Sequence, residues 1–93
     1  MRCRLKDRND AFFAHMKAIE KHPGDARLRI ATNLKRLRKE RQLSQESMAE
    51  LADFHRTYVS QLERCITNIS IDGLEKLSMA LDVDVVELLA PVE

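Results

Sequence analysis

Apolar residues recur at helical spacing along most of this chain, and no run alternates apolar and polar residues for long. Ile30, Leu34 and Leu37 fall at i, i+4 and i+7, which is the repeat that one buried face of an α-helix produces. Only two glycines and two prolines occur in the 93 residues, and this scarcity favours helices over a sheet. The pattern predicts an all-α fold.

Polar residues mark the expected starts of the later helices. Ser44, Ser70 and Asp84 each precede an apolar run and can accept a hydrogen bond from an early backbone N–H, and His55 has the same place before residues 56–64. With the helix through Leu37, five helices are predicted from residue 26 onward. The positions expected to be buried in the helices after Ser44 and His55 are Met48, Ala49, Ala52, Val59, Leu62 and part of Tyr58. The apolar positions of the helix after Ser70 are Leu74, Leu77, Met79 and Leu81.

The clearest break in the chain is His22-Pro23-Gly24-Asp25, because proline and glycine stop a preceding helix and Asp25 can cap a following one. Residues 1–24 are therefore predicted as an N-terminal extension and residues 25–93 as one domain. Within the extension, residues 10–21 are a possible amphipathic helix that packs on its own domain or on a dimer partner rather than lining a ligand pocket. Its apolar side holds Phe12, Phe13, Met16 and Ile19.

Residues 42–64 predict two short helices joined by a tight turn. Ala49 provides a small side chain where such helices cross, and Asp53 stands where the turn needs a positive φ, which Asp tolerates better than most residues. The second helix has buried Val59 and Leu62 on one side and polar residues on the other. This arrangement is typical of a helix that a small core holds while its outer face reads a DNA groove.

Charge is divided along the sequence. Residues 26–66 contain nine Lys or Arg and five Asp or Glu, a net charge of +4, whereas residues 67–93 contain one Lys and six acids, a net charge of −5. A basic middle suggests a face that meets a polyanion. The charge division alone fits an uneven solvated surface equally well. The basic outer side of the first helix, which includes Arg29 and Arg41, is expected to be solvated.

Several function classes are excluded. No apolar stretch approaches the ~20 residues that cross a bilayer, and no signal-peptide core follows the N-terminus, so we expect a cytoplasmic protein that does not bind membranes. Cys3 and Cys65 are far apart and the three histidines are scattered, which predicts reduced thiols and no metal site. Without a nucleophile–base pair or a phosphate-binding loop, we expect no enzyme, no cofactor and no small-molecule ligand.

The run from Ile30 to Leu89 resembles the helix-turn-helix domain of the Cro/CI (XRE) repressor family, which implies the five-helix λ-repressor-like fold. The resemblance lies in Leu34, Leu37 and Arg38 and in LSQESMA, YVSQLER and LEKLSMALDVDVVELL. RTYVSQLER and the following TNISIDGLEKL are most similar to the controller proteins of restriction–modification systems. The sequence departs from the family at Asp53 and Cys65, where glycines are usual.

The resemblance implies roles for individual residues. Those that read bases through the recognition helix at 56–64 are Arg56, Thr57, Ser60 and Gln61, and those that contact phosphates are Gln45, Ser44, His55, Tyr58 and Arg64. Arg38 and Glu63 resemble an internal ion pair of the family. Simpler alternatives are surface charges for Arg38 and Glu63, packing for Tyr58, helix capping for His55 and a small filler residue, rather than a redox switch, for Cys65.

One helix of this size reads only ~4–6 base pairs, so two copies are expected to act together on double-stranded DNA. We therefore predict a transcription regulator that acts as a homodimer on an inverted-repeat operator. The expected interface lies in the acidic C-terminal part and holds Leu81, Val83, Val85, Val86, Leu88 and Leu89. The alternative is an antitoxin-type module that binds a protein partner, in which residues 1–24 contact a toxin, and that also regulates its own promoter.

Overall fold

The computed structural model describes residues 24–92, and within this range it is entirely helical. The five helices are α1 (Asp25–Glu40), α2 (Gln45–Ala52), α3 (Arg56–Glu63), α4 (Ile71–Leu81) and α5 (Val85–Leu88). The all-α, five-helix prediction is thus confirmed. The possible helix at residues 10–21 and its apolar side lie outside the described residues. Between residues 24 and 92, no helix has the length and apolar character that a membrane span requires.

Side-chain caps begin three of the helices where the sequence predicted them. The Ser44 Oγ accepts from the N–H of Ser47 at 2.9 Å at the start of α2, and the Ser70 Oγ accepts from Gly73 at 2.9 Å at the start of α4. The Asp84 Oδ1 accepts from the N–H of Val86 at 2.9 Å before α5. His55 is the residue before α3, as predicted, but its side chain makes no capping hydrogen bond.

The first four helices end in the same way. Each is followed by a non-glycine residue with positive φ and then by an apolar residue; the pairs are Gln42-Leu43, Asp53-Phe54, Cys65-Ile66 and Asp82-Val83. The N–H of each apolar residue donates to the carbonyl five positions earlier, at 2.8–3.1 Å. This is the Schellman motif, in which the left-handed residue is usually glycine. Both departures from the family, Asp53 (φ 61°) and Cys65 (φ 64°), therefore occupy left-handed positions.

The core lies between α1 and the other helices. Its largest fully buried side chains are Leu34, Met48, Leu77, Leu81, Leu88 and Val59. Met79, one of the four apolar positions predicted for α4, is 78% exposed, because it lies on the side of α4 opposite to Leu74, Leu77 and Leu81.

The predicted dimer interface needs correction at two positions. Leu81 and Leu88 are 1% and 0% exposed and pack in the core of their own chain, so they are not available to a second copy. The four other residues predicted for that interface remain at least partly accessible: Val83, Val85, Val86 and Leu89.

Polar side chains of α1, and of Arg41 directly after it, hold the C-terminal part of the chain. The buried Asn33 donates from Nδ2 to the carbonyls of Leu88 and Ala90 at 3.1 and 2.9 Å. The Arg29 Nη1 donates to the Leu89 carbonyl at 3.1 Å, and the Arg41 Nε donates to the Leu81 carbonyl at 2.9 Å. Arg41 is exposed, as expected for the solvated side, and Arg29 is half-buried; both side chains also satisfy carbonyls at helix ends, which the sequence did not predict.

Candidate nucleic-acid interface

Helices α2 and α3 form the unit on which the candidate interface is built. Ala49 of α2 is 2% exposed and shares the core with Val59 and Leu62 of α3, which are 0% and 3% exposed. The connection consists of Asp53, Phe54 and His55, and the left-handed Asp53 ends α2. The inner faces of both helices are thus held by the same apolar cluster, and no other helix between residues 24 and 92 covers the outer face of α3.

The outer face of α3 carries the four residues predicted to read bases. Arg56 and Thr57 are exposed, and Ser60 and Gln61 are half-buried. These positions are i, i+1, i+4 and i+5, so they share one side of the helix. Arg64, the residue that follows α3, is exposed at i+8. A guanidinium and an amide on one exposed helical face are the groups that form bidentate hydrogen bonds with guanine and adenine edges.

A buried ion pair joins α1 to the end of α3. The Arg38 Nε and Nη2 donate to the two carboxylate oxygens of Glu63 at 2.5 and 2.9 Å. The Arg38 side chain is 10% exposed and that of Glu63 only 1%, so the surface-charge alternative does not apply to either residue. The Arg38 Nη1 also donates to the Leu43 carbonyl at 2.8 Å. One guanidinium therefore positions both α3 and the α1–α2 connection.

The pair shifts the pKa of both partners. Burial opposes ionisation of Glu63, but the hydrogen bonds from Arg38 and Gln45 and the positive charges of Arg38 and Lys35 outweigh it, so the pKa of Glu63 is lowered. The hydrogen bond to Glu63 raises the pKa of Arg38. Both residues are held in their charged forms.

Two of the predicted phosphate contacts are already engaged inside the protein. The Gln45 Nε2 donates to the Glu63 Oε1 at 3.1 Å, and the Ser44 Oγ, besides capping α2, donates to the Ser47 Oγ at 3.0 Å. The sequence interpretation missed the Gln45–Glu63 contact, since the two residues are 18 positions apart and belong to different helices. The groups left for a phosphate are the backbone N–H groups in the first turn of α2, at Gln45 and the residue after it.

Aromatic packing holds the beginning of α3. The rings of Phe54 and Tyr58 meet edge to face with centroids 5.0 Å apart, and the Lys76 Nζ lies 5.6 Å from the centroid of Phe54. The Tyr58 hydroxyl donates to the Asn68 carbonyl at 2.9 Å, and burial raises the pKa of Tyr58. Tyr58 thus has a packing role, and its hydroxyl oxygen can still accept a hydrogen bond. His55, beside it, is exposed.

Comparison with known proteins identifies the family. Residues 34–88, more than half of the chain, match the family described as Helix-turn-helix.

The chain belongs to this helix-turn-helix family.

Membership agrees with the resemblance to Cro/CI repressors and places the chain in a class that binds DNA and is not enzymatic. The control protein C.MunI of a Mycoplasma species is 43% identical over 70 residues, which are 74% of this chain and 95% of that protein. The resemblance to controller proteins is thereby confirmed at the level of relatives.

Two solved controller structures have the same fold. The restriction-modification controller protein C.AhdI from Aeromonas hydrophila is 37% identical, with a TM-score of 0.65 over 67% of this chain and 94% of that one. The controller C.Esp1396I, solved as a tetramer with its natural 35 base-pair operator, is 30% identical, with a TM-score of 0.63 over 68% of this chain and 83% of that one.

Proposed function

We propose that this protein is a controller-type transcription regulator that binds an inverted-repeat operator as a homodimer and inserts α3 into the major groove. The observation that carries the proposal is the two-sided character of α3. Its inner side is fixed by Val59, Leu62 and the buried Glu63, while its outer side presents polar groups suited to base edges. The relatives support the role, since one of them was solved on its operator.

The proposal divides the contacts by chemistry. Arg56, Thr57 and Gln61 read bases, with a further contact from Ser60. Arg64, His55 and the Tyr58 hydroxyl contact phosphates, together with the first turn of α2 at Ser44 and Gln45. Phosphate contacts set the orientation of the protein on the duplex, whereas base contacts discriminate sequence. The buried Arg38–Glu63 pair takes no part in binding and keeps α3 in place.

The dimer follows from the small size of the reading element. A single α3 contacts too few base pairs for useful specificity, and a two-fold dimer doubles the site. We place the interface on an apolar patch of α4 and α5 made of Met79, Val83, Val85 and Val86, with Leu89 at its edge. Met79 is 78% and Val86 67% exposed. Acidic residues surround this patch, and their repulsion of phosphates keeps it away from the DNA.

The test is selection of binding sites from random duplex DNA with the full chain, followed by measurement of the mass of the complex. The expected result is an inverted repeat with half-sites about one turn, ~34 Å, apart, occupied by two copies or by two dimers on a longer site. A single unrepeated site bound by one copy would contradict the dimer. Binding of all sequences with equal affinity would contradict operator reading.

The controller role has its own test. A reporter fused to the DNA upstream of the gene should respond to the protein, and the neighbouring genes should encode a nuclease and a methylase. A toxin gene as neighbour, with a toxin that co-purifies through residues 1–24, would support the antitoxin alternative instead. The relatives described above are control proteins, which favours the first role.

A further inference from the structure

Two other helices donate hydrogen bonds to the carboxylate of Glu63, which belongs to α3. The Glu63 side chain is 1% exposed, and its Oε1 accepts both from the Arg38 Nη2 at 2.9 Å and from the Gln45 Nε2 at 3.1 Å. Arg38 lies in α1, whereas Gln45 is the first residue of α2. Gln45 is half-buried, so the interior ion pair extends to a side chain at the edge of the candidate interface.

The charge of Glu63 decides how the Gln45 amide is turned. The pKa of Glu63 is lowered, so its carboxylate is ionised and can only accept hydrogen bonds. Only the nitrogen end of an amide can face such a group, because the oxygen end has no proton to donate. The Gln45 nitrogen carries a second N–H, for which no acceptor is found among residues 24–92. One side-chain donor is therefore left over at the start of α2.

The same turn of α2 holds further donors that the described part of the chain does not use. The Ser44 Oγ accepts from the N–H of Ser47 at 2.9 Å, and the Ser44 carbonyl accepts from that of Met48 at 2.9 Å. The backbone N–H groups of Gln45 and Glu46 come before these two and have no intrahelical acceptor. They lie at the positive end of the helix dipole, where an anion is stabilised.

On the basis of the proposed function, in which the first turn of α2 contacts a phosphate, we propose that Glu63 is a positioning residue for this contact. Its carboxylate holds the Gln45 amide so that the free N–H of Nε2 donates to the same phosphate as the backbone N–H groups. Glu63 itself does not touch the duplex. Arg38 engages both of its oxygens, so the acceptor is fixed, and a donor held in place before binding loses less entropy when the phosphate arrives.

Charge and amide orientation predict opposite effects of Glu63→Gln on DNA affinity. Loss of a negative charge near the duplex should by itself strengthen binding. The new amide, however, can keep its oxygen on Arg38 and turn its NH2 group to Gln45, whose amide must then reverse in order to accept. An oxygen in place of an N–H would face the phosphate, and affinity for the selected operator should fall about tenfold. Glu46→Gln removes an exposed carboxylate from the same turn and, as the matched control, should not weaken binding.

A double-mutant cycle on affinity separates positioning from general support of α3. Operator affinity is measured for the full chain as the wild type, Glu63→Gln, Gln45→Ala and the protein with both changes, after circular dichroism verifies that each is folded. Glu63→Gln should cost about tenfold in the wild type and nothing further in the Gln45→Ala background. An equal loss in both backgrounds would overturn the positioning role, because Glu63 would then act only by holding α3. A Gln45→Ala protein that binds the operator as well as the wild type would overturn it too.

Nuclear magnetic resonance tests the same contact without any change at Glu63. The two Nε2 proton signals of Gln45 are identified by their loss in Gln45→Ala. Addition of the selected operator should shift the signal of the free proton much more than that of the proton bonded to the carboxylate. If neither signal moved while the backbone N–H signals of Gln45 and Glu46 did, the positioning role would be overturned and the phosphate contact of α2 would stand. A wild type that selected no operator would instead contradict the proposed function itself.

Discussion

Arg38 and Glu63 are 25 positions apart in sequence and form a buried, bidentate ion pair in the folded chain. Arg38 lies in the last turns of α1, and Glu63 is the last residue of α3. The pair connects α1, which contributes Ile30, Leu34 and Leu37 to the core, to the end of α3, the helix that we propose faces DNA. Its energetic importance lies in what happens when one partner is removed, since the other is then left charged in a buried site.

Removal of either partner should destabilise the protein strongly. Arg38→Met or Glu63→Leu should each lower the free energy of unfolding by about 3 kcal/mol, because each leaves a buried charge without its partner. The double variant should cost less than the sum of the two single changes. Urea unfolding of the four proteins measures the coupling.

An exposed ion pair is the matched control for that cycle. Arg36 and Glu40 are 3.2 Å apart, with side chains 45% and 54% exposed, and Arg36→Met should cost at most about 0.5 kcal/mol. Strict additivity of the Arg38 and Glu63 changes would contradict the proposed role of the buried pair.

Glu63 should make the stability depend on acid pH. Its pKa is lower in the folded protein than the value of about 4.3 for a free glutamate. The stabilisation is therefore complete above that value and is lost as the pH falls through the folded pKa. The difference in unfolding free energy between the wild type and Glu63→Gln should be constant from about pH 5 to 7 and should narrow below about pH 4. A difference that grows on acidification would show that folding raises the pKa of Glu63 and does not lower it.

Base reading and phosphate contact predict different effects on DNA binding. Gln61→Ala should weaken binding to the selected operator by about 1–3 kcal/mol and leave binding to random DNA nearly unchanged. Arg64→Ala, the control for phosphate contact, should weaken both by similar factors and reduce the dependence of affinity on salt. Titration at two salt concentrations separates the two effects, and equal losses for Gln61→Ala on both DNAs would remove it from the base-reading set.

A glycine in place of Cys65, the left-handed residue that follows α3, should stabilise the protein. Cys65 has a φ of 64°, a conformation that costs a residue with a Cβ roughly 1–2 kcal/mol and costs glycine almost nothing. Cys65→Gly should therefore raise the free energy of unfolding by about 0.5–1 kcal/mol after the entropy of the unfolded glycine is subtracted. Cys65→Ala keeps the Cβ and isolates the loss of the thiol. A β-branched residue, as in Cys65→Val, should be destabilising.

Self-association should depend on the patch of α4 and α5. Val86→Asp places a charge on an exposed apolar position of that patch and should shift the protein toward monomer in sedimentation equilibrium, because the charge would have to be desolvated at the interface. Ile66→Asp is the control, since Ile66 is 58% exposed in the α3–α4 connection, away from the patch. A dimer that survives Val86→Asp and dissociates with Ile66→Asp would locate the interface elsewhere.

Local features of the chain were predictable from sequence because they depend on neighbours within one or two turns. The apolar repeat in α1, the Ser44 and Ser70 caps and the Asp53 turn all involve residues at most seven positions apart. The resemblance to the family likewise lies in short runs of the sequence, such as LSQESMA and YVSQLER.

Only the tertiary structure decided which of the equally apolar or equally basic positions turn inward. Leu88 and Val86 are alike in the sequence, yet one completes the core and the other is exposed. Arg29 is half-buried and Arg41 stays exposed on the side predicted to be solvated, and both donate to carbonyls at helix ends 60 and 40 positions away, which no local pattern predicted. The periodicity of a four-residue helix such as α5 is too short to define a face, and the partner of a buried donor is set by which helix ends the packing brings together. The sequence by itself therefore determined the family and the two short helices of the candidate interface, and the packing of α1 against the C-terminal helices determined what surface remains for a partner.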